Sequence, residues 1–363
     1  MNIFHYLKKQ YATFSETEIN RLDALVLSWF SYYNYPDELS DKPFIVSALN
    51  KKEILKEKKF TIEASDGPNS RKLIKRLVSH PRYQNLKLSD FVRKTDIPST
   101  TQFAAVTIEI NPRLHVIAYR GTDPSFVGWK EDFLLSYKET IPSHDMALDY
   151  LEKAMEKYEG EFILTGHSKG GNVAIFAFYK TSVENRKRIK ALYAFDSPGF
   201  AYDFKNVEDY QTANSKVHKM IPKSSIIGMF FEKEPDFAIM DSSFVFIFQH
   251  DAFSWQVKGN DFKYKKRRTA QSKRIAITFN TWVESLTLEE KEKFTDLVFD
   301  MFYQTQAGDF FTFLFQIPKY GPKLIGIYKK LDIRDKIFLK RIVKSFQKAW
   351  FKKEDKKKQL MKL

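Results

Sequence analysis

The chain has no cysteine among its 363 residues. That absence excludes disulfide staples, thiol nucleophiles and cysteine-held zinc or iron–sulfur centres, and it leaves the redox compartment undetermined. Long apolar runs are missing as well. The greasiest stretches, Phe310 to Ile317 and Phe244 to Phe248, fall well short of the roughly 18 apolar residues that a spanning helix needs. The opening residues, MNIFHYLKKQYATFSETEINRLD, carry charges within the first ten and lack an apolar stretch of signal-peptide length followed by small residues, so a cytoplasmic location is expected. No two histidines stand at ligand spacing, so neither a metal nor another cofactor is expected. No internal repeat and no long Gly/Ser/Pro linker interrupts the chain.

Hydrophobic residues make up 43% of the chain and aromatic residues 16%, enough for one large core or two of ordinary size, which rules out disorder as the main state. The formal net charge of +15 predicts attraction to an anionic surface without choosing among nucleic acid, acidic protein and lipid headgroups. Residues 1 to about 95 read as helical and charge-rich, with Ile19, Leu22, Leu25, Val26, Trp29 and Phe30 on one apolar helix face. From about 103 to 255, short β-prone runs (FAAVTIEI, LHVIAY, EFILT, ALYAF, VHKMI, FVFIF) alternate with amphipathic or turn-rich segments. That alternation predicts an α/β fold with a mostly parallel central sheet. After about 280 helical patterning returns, and the chain closes on KKEDKKKQLMKL with frayed last residues. The expected division is an α/β domain over 1–280 and a helical, basic extension over 281–363.

The segment EFILTGHSKGGNVAIFAFYK carries the chemistry. A β-prone run, Glu161 to Thr165, leads into Gly166-His167-Ser168-Lys169-Gly170, and a helix pattern follows. This is the strand-turn-helix context of a nucleophile elbow. Glycines two before and two after the serine keep side chains off a sharp turn, so that the hydroxyl stands clear of the backbone while the helix N-terminus faces developing negative charge. With 13 glycines in the whole chain, Gly-x-Ser-x-Gly in that context is not expected by chance.

Upstream, LHVIAY leads into Arg120-Gly121-Thr122-Asp123, with Trp129 and Asp132 following in RGTDPSFVGWKEDF. Backbone N–H groups at Thr122 and Lys169 are the candidate oxyanion donors; Arg120, Trp129 and Asp132 are expected to be structural, with an Arg120–Asp132 ion pair shaping the loop. Serine, acid, histidine is the chain order that accompanies this elbow, which leaves His218 and His250 as bases. His218 lies within a β-run, whereas His250 follows FVFIFQ in the loop QHDAFSW, and catalytic side chains are presented from loops. His250 is preferred. Asp196, at the end of ALYAF and the start of DSPGF, is the first choice of acid, with Asp236, Asp241 and Asp251 as rivals. Ser168 would attack an acyl carbon, His250 would take and return the proton, and the acid would hold the imidazole tautomer.

RGTDPSFVGWKEDF, GHSKGGN, FDSPGF, IPKSSIIGM and QHDAFSW, in this order, resemble the bacterial Mbeg-like family, an α/β-hydrolase branch similar to the class-three lipases. The resemblance runs from about residue 10 to 258 and leaves the tail beyond 280 uncovered. It implies the α/β-hydrolase fold and a serine-hydrolase mechanism, with Ser168 as nucleophile and Thr122 in the oxyanion position, but names no substrate. The chain departs from lipases twice. Where they typically carry the acid, one strand after Asp196, it has Ile221-Pro222-Lys223-Ser224-Ser225, without a carboxylate. Where they place an apolar residue after the serine it has Lys169, which would steer an anionic substrate or reach out to solvent.

Residues 319 to 363 hold 16 Lys/Arg against four Asp/Glu, +12 of the chain's +15. In Lys336 to Lys353, Leu339, Ile342, Val343, Phe346 and Trp350 share one helical face, and Lys340, Arg341, Lys344, Lys348 and Lys352 cover much of the rest. A basic amphipathic helix of this kind reads as an interfacial membrane binder over 331–363, or as a helix packed on the domain with solvated lysines. Nucleic acid is not expected, since no further motif supports it. Two functions compete: a serine esterase or lipase acting on an acyl ester at the cytoplasmic membrane face, and a catalytically weak hydrolase-fold protein serving as a membrane-associated binding or scaffold protein.

Overall fold

The computed structural model describes residues 1–37, 42–57, 60–61, 67–232 and 236–351. Its centre is a nine-stranded sheet in the order β1 (Phe44–Ile45), β2 (Lys87–Asp96), β3 (Thr101–Asn111), β4 (Leu114–Tyr119), β5 (Glu161–His167), β6 (Ile189–Phe195), β7 (Val217–Pro222), β8 (Ala238–Met240) and β11 (Tyr264–Lys265). The short strands β9 (Val257–Lys258) and β10 (Asp261–Phe262) form a separate hairpin. Strands β4 to β8 run parallel, and antiparallel pairs flank them on both sides. Because β2 points the same way as β4, six of the nine strands share one direction.

Helices cover both faces. In β4, Val116 and Ala118 face one core with Leu22, Leu25, Val26 and Trp29. Ile117 and Tyr119 alternate with them and face a second core with Leu151, Val173 and Phe176. The two-residue period of a strand therefore sorts one run between two layers. The first layer comes from Arg21–Ser28 and the turn Trp29–Tyr32, and the second from Pro142–Lys157 and Lys169–Lys180.

Two expectations need correction. Residues up to 95 are not wholly helical: Lys87–Asp96 is a strand paired with β3, with an irregularity between Ser89 and Val92 and its outer half exposed, so charges hide its alternation. FVFIF is not a strand either. Phe244 to Phe248 are all exposed, and Phe246–His250 forms a 3-10 turn; the run finds no strand partner and leaves the sheet. The boundary placed at 280 falls inside the helix Ala270–Glu284. That helix sets Ala276 against Ile221 and Met229 of the sheet domain and Trp282 and Val283 against Phe338, Leu339 and Ile342 of the last described helix, Ile333–Phe351. Of the tail's expected apolar face, Leu339 and Ile342 are thus buried by packing, while Val343 stays exposed. Lys352 and the residues after it lie outside the described residues.

Candidate active site

The strand β5 ends at His167 and the helix Lys169–Lys180 begins one residue later, with Ser168 at φ 58° and ψ −135° between them. A positive φ is rare for a residue with a side chain, and here it turns the hydroxyl out of the strand-to-helix corner. Close approach explains the two glycines around it. A Cβ on Gly166 would strike the backbone of Gly170, and one on Gly170 would strike the Tyr119 carbonyl of β4. The Ser168 N–H donates to the Phe195 carbonyl at 2.9 Å, which ties the elbow to the end of the neighbouring strand β6.

Asp196 is the next residue on that strand's end. Its Oδ2 accepts from His250 Nδ1 at 2.7 Å, and its Oδ1 accepts the Ser225 hydroxyl at 2.5 Å. With Nδ1–H committed to the carboxylate, the lone pair of His250 lies on Nε2, the side a nucleophile would use. Around Ser224, where no carboxylate stands, Ser225 supplies a hydroxyl that binds and orients Asp196. The loop holding His250 is pinned from inside. Trp255 Nε1 donates to the Gln249 carbonyl at 2.7 Å, and His167 Nε2 donates to the His250 carbonyl at 2.9 Å. Burial holds the His167 imidazole well below its usual range, so it stays neutral and serves as a donor through Nε2.

The rivals are engaged elsewhere. His218 stacks on Tyr193 with ring centroids 5.1 Å apart and shares a separate pocket with Arg21 and Asp236. Asp241 pairs with Lys223, Lys263 and Lys265, and Asp251 accepts from the Phe253 N–H.

The backbone N–H groups of Thr122 and of Lys169, the expected oxyanion donors, have no hydrogen-bond acceptor among the described residues. The Thr122 hydroxyl donates to Asp132 Oδ2 at 2.6 Å. Arg120 pairs with Asp123 at 3.4 Å and not with Asp132, because the loop brings the nearer acid round to the guanidinium. Lys169 neither steers substrate nor reaches solvent. Its side chain is 1% exposed, and the ammonium meets Glu131 Oε2 at 2.6 Å, the Gln102 carbonyl at 2.8 Å and Gln102 Oε1 at 3.0 Å. Glu131 also accepts from the Ser143 N–H and hydroxyl and from the Gln102 N–H, so both charges are paired and their remaining bonds filled. Glu131, Ser225 and His167 were not singled out from the sequence. Glu131 sits within the same RGTDPSFVGWKEDF motif, and a lysine next to a nucleophile calls for a buried acid.

Beside Ser168 and Lys169 opens a cavity of about 420 Å³ with an almost wholly apolar lining. Phe133, Phe230, Phe279, Trp282, Val298 and Phe299 are among its walls. Several of these belong to the helices Ala270–Glu284 and Leu288–Gln304, beyond the stretch on which the resemblance rests. Asp132 lines the same cavity. Its Oδ1 and the Trp129 Nε1 are buried without a hydrogen-bond partner, and burial pushes the Asp132 carboxyl up to about 6. Among the described residues no group of His, Asp and Glu is placed to hold a metal ion, and no helix is long and apolar enough to cross a membrane.

A parallel sheet, a strained serine in a strand-turn-helix corner, and acid and histidine following in chain order on the same sheet edge make this an α/β-hydrolase fold. The family model described as Mbeg1-like matches residues 77–300, more than half of the chain. The chain belongs to the Mbeg1-like family. The Mbeg1-like match starts later than residue 10 and runs past 280, so it takes in the elbow, the loop at Thr122, His250, the helix Ala270–Glu284 and most of Leu288–Gln304. Among solved structures, a crystal structure of M37 lipase is similar at a TM-score of 0.36 and 17% identity, covering 58% of this chain and 70% of that one. No curated protein matches this Mbeg1-like chain.

Proposed function

We propose that this protein is a serine hydrolase of lipase or esterase type that cleaves a carboxylic ester with an apolar acyl group. The observation that carries the reading is the 2.7 Å bond from His250 Nδ1 to Asp196, on the same sheet edge as a serine in elbow geometry. In the first step Ser168 Oγ attacks the acyl carbon and passes its proton to His250 Nε2, whose new charge faces Asp196. The carbonyl oxygen becomes an oxyanion facing the N–H groups of Thr122 and Lys169; each such donor contributes about 10²- to 10³-fold in rate. The alcohol leaves with the proton from His250. Water, deprotonated by the same imidazole, then releases the acid from Ser168.

The cavity beside the serine supports an acyl chain as the group held during this sequence, since an almost wholly apolar lining next to the serine matches an ester with a hydrocarbon tail. An acyl lipid presented at the cytoplasmic membrane face is the substrate class we favour. A fluorophosphonate probe tests the reading without knowledge of the substrate. It should label Ser168 rapidly, and Ser168→Ala should lose both labelling and turnover of a short p-nitrophenyl ester while its thermal unfolding stays unchanged. Turnover by the alanine variant at the parental rate would overturn the assignment.

A further inference from the structure

The run Phe244-Val245-Phe246-Ile247-Phe248 carries five consecutive large apolar side chains, each 46–65% exposed. A contiguous patch of this kind marks an interaction surface, whereas single exposed apolar residues do not. The run is held out and not loosely strung: Phe246 sits at φ 53°, and the buried Gln249 side chain donates to the Phe244 carbonyl at 2.6 Å while accepting from the Ser224 N–H at 3.0 Å. Ile247 is at once 47% exposed and part of the cavity wall, and His250 follows three residues later. The patch therefore adjoins the catalytic opening.

Cations flank it. The Ser224 hydroxyl meets that of Thr269 at 3.0 Å, and residues 263–267, Lys-Tyr-Lys-Lys-Arg, are all exposed just before that threonine. Asp241 is shared among Lys223, Lys263 and Lys265, so this rim keeps a net positive charge. The expected membrane helix is a weaker candidate, because Leu339 and Ile342 of its apolar face are buried against Trp282 and Val283.

We propose that the apolar run Phe244–Phe248, with the basic rim at 263–267, docks the protein on an anionic lipid surface, with the cavity beside Ser168 opening toward that surface. Apolar insertion and headgroup attraction act together at such a site, and salt screens only the second. The link to catalysis rests on the acyl-hydrolase reading, but docking itself is measured independently of it.

Co-sedimentation of the full chain with phosphatidylcholine vesicles, with and without phosphatidylglycerol, tests this at low and high salt. Binding should require phosphatidylglycerol and weaken in salt. Val245→Asp/Phe248→Asp should reduce the bound fraction about tenfold or more, and Lys266→Glu/Arg267→Glu should reduce it less and abolish the salt dependence. Both variants should melt as the parent does and keep turnover of a soluble short ester, whereas a chain ending at residue 351 should still bind. Equal binding by the parent and both variants, failure of the parent to bind anionic vesicles, or loss confined to the shortened chain would each overturn the proposal. So would a parental dimer that Val245→Asp/Phe248→Asp converts to monomer with vesicle binding unchanged, since the run would then cover a second copy. Vesicle binding through the run by a chain whose Ser168 never labels would sustain docking and remove the hydrolase reading.

Discussion

The sheet edge around Ser168 and the cavity wall beside it are built of opposite materials. At the edge, buried polar groups answer one another: His250 with Asp196, Asp196 with Ser225, Lys169 with Glu131 and Gln102. Each bond has direction, and together they leave little freedom for the groups that would move a proton. The wall is aromatic and aliphatic, and Phe279, Trp282 and Phe299 act by shape and dryness. On the reading proposed above, chemistry would fall to the rigid polar frame and selectivity for the acyl group to the apolar wall. The two halves differ in how they should fail.

Breaking the frame should have the largest effect. Asp196→Asn preserves shape but favours the wrong histidine tautomer, which costs about 10⁴-fold in the serine-protease case. We expect kcat/KM on a short soluble ester to fall nearly as far as in His250→Ala, with the double variant scarcely worse than either, because the groups act as a unit. Full activity of Asp196→Asn would remove it from the triad. Filling the wall should sharpen the contrast. Val298→Phe narrows the cavity without touching the frame, so kcat/KM on long-chain p-nitrophenyl esters should fall about 10- to 100-fold relative to a two-carbon ester. An unchanged chain-length profile would dissociate the cavity from the substrate.

The smallest effect belongs to Asp132, where the two materials meet, with Oδ2 bound to Thr122 and Oδ1 unpartnered at the apolar side. Burial raises its carboxyl from 3.8 to about 6. The folded chain therefore keeps a proton that the unfolded chain releases, and the stability this confers is full below about pH 3.8 and lost as pH rises through about 6. Asp132→Asn carries no such charge. In urea unfolding its stability relative to the parent should climb between pH 4 and pH 7 by about 1 kcal/mol, since the residue is partly exposed and screened. A difference between parent and variant that is flat across this range would show that the carboxyl titrates normally.

The frame was more legible in the sequence than the wall. A nucleophile elbow is a local event, readable from Gly166, Ser168, Gly170 and the flanking strand and helix. Chain order and loop position pointed to His250 and Asp196, the pair that the structure brings to 2.7 Å. Ser225 escaped because its role depends on register between strands, which spacing does not encode. Lys169 was misread for the same reason: its partner Glu131 lies 38 residues upstream, on another element. The wall left no local signal at all. Phe133, Phe230 and Phe299 come from three distant segments and look like ordinary helix or loop aromatics until packing gathers them. FVFIF misled in the other direction, since β-propensity cannot register that a run lacks a neighbour to pair with.

In the main sheet every strand but β11 lies beside the one before it in sequence, and this has a bearing on synthesis. A ribosome releases the strands in the order in which they pair, so each new one meets an exposed partner already made, and the sheet can be laid down progressively from its first edge. The candidate site is completed on a different schedule. A nascent chain that has released β8 holds Ser168, the loop at Thr122 and Asp196, but it has neither His250 nor the helices that wall the cavity. On the hydrolase reading proposed above, competence would be deferred until roughly four-fifths of the chain, through Gln304, has emerged, long after the scaffold that bears it has begun to assemble.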